Sequence, residues 1–171
     1  MRHETFIVAP SVVDLGDASA VARGFRHVVA RLGPVDVLIC NAGGASGAAH
    51  CIAAVLPDMT HRQSGLVVTI ASGCAGAARG NAQLIHVTGA VAVDHGGQHV
   101  RANVVYPTAA RGTNADEIMD VVAYLTSEAG AGITNRLIPI GGRWSAARRI
   151  WSDGRLARPG TQFAPLNCRN G

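Results

Sequence analysis

The sequence predicts an α/β protein built on a parallel, doubly wound sheet. Three observations point there. Short and almost wholly apolar runs are too brief to be helices, stretches of 3.6-residue apolar periodicity separate them, and turn residues stand at the junctions. Unbroken apolar runs suit strands covered on both faces, and strands that alternate with helices imply parallel crossovers.

The elements follow in order. Val12-Val13-Asp14 ends a β-like run. Asp17 is placed to cap a helix on which Val21, Phe25, Val28, Val29 and Leu32 share one face, and Gly33-Pro34 stops it. Val35 to Cys40 reads as a strand buried on both faces, followed by the turn Asn41-Ala42-Gly43-Gly44. Ala48 to Leu56 suits a helix, and Leu66 to Ala71 is a second strongly apolar strand. A weaker helix fits Ala82 to Val93, and Val100 to Val105 is a strand closed by Pro107. Asn114 is placed to cap a helix from Ala115 to Ser127, with Ile118, Val121, Val122 and Leu125 facing inward. Leu137 to Ile140 makes a last strand before Gly141-Gly142. Residues 1–142 therefore read as one domain. Residues 143–171 carry six arginines against Asp153 alone and hold no persistent period, which reads as a loosely ordered, arginine-rich extension. Trp144 and Trp151 are not spaced through the basic run as stacking platforms, and the net charge is only +4, so a nucleic-acid partner is not expected.

Composition bounds the chemistry. All 15 basic residues are arginine, which excludes Schiff-base and phosphate-loop lysine chemistry. Cys40, Cys51, Cys74 and Cys168 stand without a CxxC pair or zinc spacing and read as small buried apolar residues in a reducing compartment. No metal is expected. No apolar run approaches the length of a membrane span and the N-terminus shows no apolar leader, so the expectation is a soluble cytoplasmic protein with no membrane partner.

Four segments, in order, carry a resemblance. The first is Asp14-Leu15-Gly16-Asp17, then Leu32-Gly33-Pro34-Val35-Asp36-Val37-Leu38-Ile39-Cys40-Asn41-Ala42-Gly43. The second runs from Leu56-Pro57-Asp58-Met59 through Ser64-Gly65-Leu66-Val67-Val68-Thr69-Ile70-Ala71-Ser72. The third is Val100-Arg101-Ala102-Asn103-Val104-Val105-Tyr106-Pro107. The fourth runs from Ala115-Asp116-Glu117-Ile118 through Tyr124-Leu125-Thr126-Ser127 to Ile133-Thr134 and Gly141-Gly142. Together they resemble the short-chain dehydrogenase/reductase family across residues 12 to 142. The resemblance implies a reduced Rossmann-like sheet and NAD(P)-dependent ketone/alcohol redox chemistry by descent. It places Ser72 where the catalytic serine sits, Asp14 where a carboxylate accepts from the adenine amine, and Asn41, Ala42 and Gly43 beside the adenosine ribose. Pro107 falls at a further cofactor position. Asp14 reads equally well as a residue of a helix-start turn.

Departures from the family pattern decide the functional expectation. The 13 residues before Asp14 contain no glycine, so the T-G-x-x-x-G-x-G phosphate loop is not found, and the first βα units are expected to be missing. Aligning Thr88-Gly89-Ala90-Val91 on the family's K-x-A-V puts Leu84 at the tyrosine and Thr88 at the lysine. Without that phenol no group protonates a forming alkoxide. No asparagine lies between Gly43 and Ser72, where the family has its catalytic one. His86 reads as an ordinary helix-face histidine.

The expectation is a truncated, degenerate relative with vestigial Ser72, weak or absent NAD(P) binding and no turnover, or else a non-catalytic partner of an intact homologue or another protein. Altered chemistry through Ser72 and a histidine is the weakest reading, because no G-x-S-x-G elbow surrounds that serine. Missing strands would leave both the Val12 and Val35 runs with bare edges. Relief would come from Thr5 to Ala9 as a replacement strand, from direct pairing of the two runs, or from another chain. A sheet of about four to five strands and marginal stability or self-association are expected.

Overall fold

A computed structural model of the chain describes residues 13–41, 44–72, 77–107 and 115–140. The replacement strand at Thr5 to Ala9, Val12, the Asn114 cap, Gly141-Gly142 and the extension 143–171 lie outside them, as do Ala42, Gly43, Cys74 and Cys168.

The first helix, α1 (Ala18–Leu32), begins where the Asp17 side chain accepts the backbone N–H groups of Ser19 and Ala20, at 2.8 and 3.2 Å. Its stripe of Val21, Phe25 and Val28 is buried, whereas Val29 and Leu32 are 40% and 46% exposed, so the inward face is narrower than the sequence suggested. Strand β1 (Val37–Cys40) leads into α2 (Gly44–Arg62), which opens at Gly44 with φ of +65°. That backbone region favours glycine. Helix α2 starts earlier and ends later than the pattern indicated, running straight through Pro57. Tertiary anchoring of its last turn outweighs the lost backbone donor. Met59 is fully buried, and Arg62 donates to Asp36, Asp58 and the Val35 carbonyl, each at 2.8 Å. Burial works against the Arg62 charge, but hydrogen bonds to Asp58 and Asp36 outweigh it and hold the guanidinium above its ordinary pKa.

Strand β2 (Gly65–Ile70), helix α3 (Ala78–His95), strand β3 (Val100–Pro107), helix α4 (Ala115–Thr126) and strand β4 (Arg136–Ile140) complete the order. Helix α3 likewise exceeds its expected span at both ends. Among the described residues the strands form a four-stranded sheet ordered β1-β2-β3-β4, every pair parallel. This is the reduced Rossmann-like sheet that the sequence indicates.

Period-two alternation divides the core. Leu38, Cys40, Val67, Val100, Ala102 and Val104 face helices α1, α2 and α3. Leu66, Val68, Val105 and Ile140 face α4 with Val122 and Leu125. The strand β1 departs from expectation here, because Val37 and Ile39 are 38% and 39% exposed and only Leu38 and Cys40 are buried. The cause is position: β1 is an outer strand among the described residues, and α4 covers the far side of the sheet.

Polar stitching joins β3 to the chain before β4. Asn103, with no exposed surface, donates to the Ile133 carbonyl at 2.9 Å and accepts the Arg136 N–H at 3.1 Å. The Arg101 guanidinium donates to the carbonyls of Gly130, Leu125 and Ile133, and burial lowers its pKa. The fork ties the last turn of α4, at Leu125, to the segment that leads into β4.

Candidate functional site

Parallel pairing sends all strand C-termini to one edge, and that edge receives the candidate residues. Asn41 follows β1, Ser72 stands two residues past β2, and Pro107 ends β3. The register aligns Cys40 with Thr69 and Thr69 with Val104, so the three stand on neighbouring strands spaced about 5 Å apart. Doubly wound sheets bind ligands over this edge. Ala42 and Gly43, assigned with Asn41 to the ribose, lie outside the described residues.

Asp14 approaches the same end from α1. Its carboxylate accepts the Gly16 N–H at 2.8 Å and its carbonyl accepts the Asp17 N–H at 3.1 Å, so it performs the turn role. The turn is fastened to α2 by the Leu15 carbonyl, which lies 2.9 Å from His50 Nδ1. Gly47 sits against Leu15, where an added Cβ would come within 3.2 Å.

Ser72 is exposed, and a residue that the sequence reading missed organises its backbone. Asn81 of α3 accepts the Ser72 N–H at 2.9 Å and donates to the Ser72 carbonyl at 2.7 Å. The amide thus holds the segment after β2 as a backbone partner would. An Asn near a helix start, a few residues beyond a strand end, was the available signal. It sits outside the interval between Gly43 and Ser72 where the family's asparagine was sought.

The positions aligned with the family's tyrosine and lysine are turned into the core. Leu84 is 7% exposed and Thr88 1%, on the α3 face that also buries Val91 and Ala92. The Thr88 hydroxyl donates to the Leu84 carbonyl at 2.8 Å and lies 2.9 Å from the Thr69 hydroxyl. Its single proton is spent on that carbonyl, so Thr69 is the donor in the hydroxyl pair. Neither side chain supplies a phenol or a cation. His86 is exposed on α3, as a helix-face histidine should be.

The fit to a nicotinamide dinucleotide is therefore incomplete. By the resemblance Asp14 and Asn41 would flank adenosine, but the 171 residues contain no glycine-rich phosphate loop and no lysine, and the positions aligned with the family's tyrosine and lysine, Leu84 and Thr88, are buried. Among the described residues no group of three or more His, Cys, Asp or Glu is placed to hold a metal, and no helix is long and apolar enough to cross a membrane.

The fold is that of a Rossmann-like α/β protein with its candidate residues at the carboxyl edge of the sheet. No family profile matches the sequence. The chain is similar to the meso-2,3-butanediol dehydrogenase of Serratia marcescens, at 25% identity over an alignment 187 positions long, gaps included, that covers 79% of this chain and 74% of that protein. This distant likeness points toward the same short-chain dehydrogenase/reductase ancestry as the four motif segments.

Proposed function

We propose that the chain is an oxidoreductase of the short-chain dehydrogenase/reductase type by descent, without alcohol or ketone turnover of its own. The supporting observation is the pair Leu84 and Thr88: one is buried in the core, and the hydroxyl of the other is committed to the Leu84 carbonyl and to Thr69. On this reading Ser72 is a vestigial catalytic residue, and Asp14, Asn41, Ala42, Gly43 and Pro107 are vestiges of NAD(P) binding. With no phosphate cradle in these residues, NAD(H) and NADP(H) bind no tighter than about millimolar, which corresponds to about 4 kcal/mol. The protein works in the cytoplasm. Calorimetric titration with all four nucleotides, and absorbance at the nicotinamide band with meso-2,3-butanediol and simple ketones, test this reading. Micromolar affinity, or a rate that disappears in Ser72→Ala, overturns it.

A second reading is a non-catalytic partner that associates with a homologue, or with itself, through the sheet edge. It is favoured by the exposed Val37 and Ile39 on an outer strand. Sedimentation analysis separates the two: Ile39→Lys abolishes self-association on the second reading and changes nothing on the first.

A further inference from the structure

Helix α4 buries one face and leaves the other uncovered among the described residues. Val122 and Leu125 pack inward with Ile140, while Asp116, Met119, Asp120, Ala123 and Tyr124, spaced at helical intervals, form an exposed stripe. Met119 is 52% exposed and Tyr124 49%. The helix holds no basic residue, and neither Asp116 nor Asp120 makes an ion pair among the described residues. The helix dipole accounts for acids in the first turn. It does not account for Asp120 a turn later, or for two large apolar side chains facing outward beside it.

The chain that continues from β4 has the complementary character. Residues 143–171 carry six arginines against Asp153 alone, and both tryptophans of the chain, Trp144 and Trp151, fall early in that segment. It also starts close to the stripe. Arg101, near the start of β3, donates to the Leu125 carbonyl, so the last turn of α4 lies toward the amino edge of the sheet and its first turn toward the carboxyl edge. Strand β4 ends at that carboxyl edge, with Ile140 in the core beneath α4. From beneath a helix about 10–12 Å wide to its outer face is half a circumference, about 17 Å, or about five extended residues. Counted from Ile140, that path reaches the outer face near Ser145 and leaves Arg148, Arg149 and Trp151 to lie along it.

We infer that residues 143–151 dock on the outer face of α4 in the same chain, with Arg148 and Arg149 drawn to Asp116 and Asp120 and the tryptophans covering Met119 and Tyr124. Charge sets the approach. Residues 115–130 hold four acids and no base, against six bases and one acid in 143–171. Apolar contact provides the seat, because indole rings pack favourably on a methionine sulfur and a tyrosine ring. The surface is separate from the exposed Val37 and Ile39, which lie on β1 at the other end of the strand order.

Trp144 and Trp151 are the two tryptophans of the chain, so indole fluorescence of the full protein reads this segment alone. Acrylamide quenching of the folded chain is compared with quenching of the same chain in urea. The folded chain is expected to be protected, equally at every protein concentration, and less so as added salt shortens the Debye length. Asp116→Asn with Asp120→Asn keeps the far-ultraviolet circular dichroism, because both side chains are exposed. Losing two exposed ion pairs lowers the ratio of protected to accessible tryptophan about fivefold. Asp116→Arg with Asp120→Arg abolishes the protection, and adding Arg148→Asp with Arg149→Asp restores it. Tryptophans as accessible in the folded chain as in urea overturn the inference, as does protection that survives the two arginines. So does a charge-swapped chain that stays unprotected, or protection that rises with protein concentration, the mark of a second copy taking up the segment.

Discussion

Replacing one nitrogen with oxygen at Asn103 separates the polar stitching of this sheet from mere packing. The Asn103 side chain has no exposed surface, and its Nδ2 donates to the Ile133 carbonyl while its Oδ1 accepts the Arg136 N–H. In Asn103→Asp the volume is unchanged and the Arg136 bond survives. An ionised carboxylate, however, would press an oxygen against the Ile133 carbonyl oxygen, whereas the protonated acid would donate to it. The new carboxyl consequently stays neutral to higher pH in the folded chain. Burial and the facing carbonyl raise its pKa, and Arg101, two residues along the strand, offsets part of that. A net rise of about two units above the ordinary 3.9 corresponds to about 3 kcal/mol. The sign follows from linkage. Near pH 4 and below, both folded and unfolded states are protonated and the penalty vanishes. It grows as pH rises from about 4 to about 6 and is constant above that. Urea unfolding followed by far-ultraviolet circular dichroism, with the natural chain measured beside the variant, should show a gap of about 3 kcal/mol at pH 7.5. The gap should shrink by about 2 kcal/mol at pH 4.5. A gap under about 1 kcal/mol at pH 7.5 would refute this account of Asn103, as would one that does not narrow on acidification.

Three further outcomes are expected from the same unfolding assay. Arg101→Lys keeps the charge but cannot reach the Leu125, Gly130 and Ile133 carbonyls together, and costs about 1 to 2 kcal/mol; parity with the natural chain would show that one ammonium suffices. In Gly130→Ala the new Cβ would meet the Tyr124 carbonyl oxygen and the Leu125 Cα, both backbone, so the end of α4 must shift at a cost of more than about 2 kcal/mol; a neutral result would mean that the α4 terminus gives way freely. Asp17→Ala removes the cap of α1 and costs about 1 kcal/mol, with a loss below about 0.3 kcal/mol counting against the cap.

Much of the architecture was legible in the sequence because it rests on local patterns. The run Leu66 to Ala71 is apolar at all positions but Thr69, which suits a strand covered on both faces, and it and Val100 to Val105 form the inner strands of the sheet. The Asp17 cap and the Gly33 stop are properties of one side chain and one backbone conformation, and α1 lies between them. The order of the four motif segments likewise located Asn41, Ser72 and Pro107 before any strand had been paired with another.

Tertiary structure decided what depends on neighbours distant in the chain. Val35 to Cys40 has the composition of an inner strand, yet Val37 and Ile39 are exposed, since burial is set by what packs on a face and not by the residues that form it. Helix α2 passes through Pro57 because Met59 and Arg62 anchor its last turn from outside the helix. Asn81 supports Ser72 only after the strands come into register and the helices fold back across them. A linear pattern carries period and propensity, whereas these contacts come from chain crossovers that bring separated residues to the same point in space.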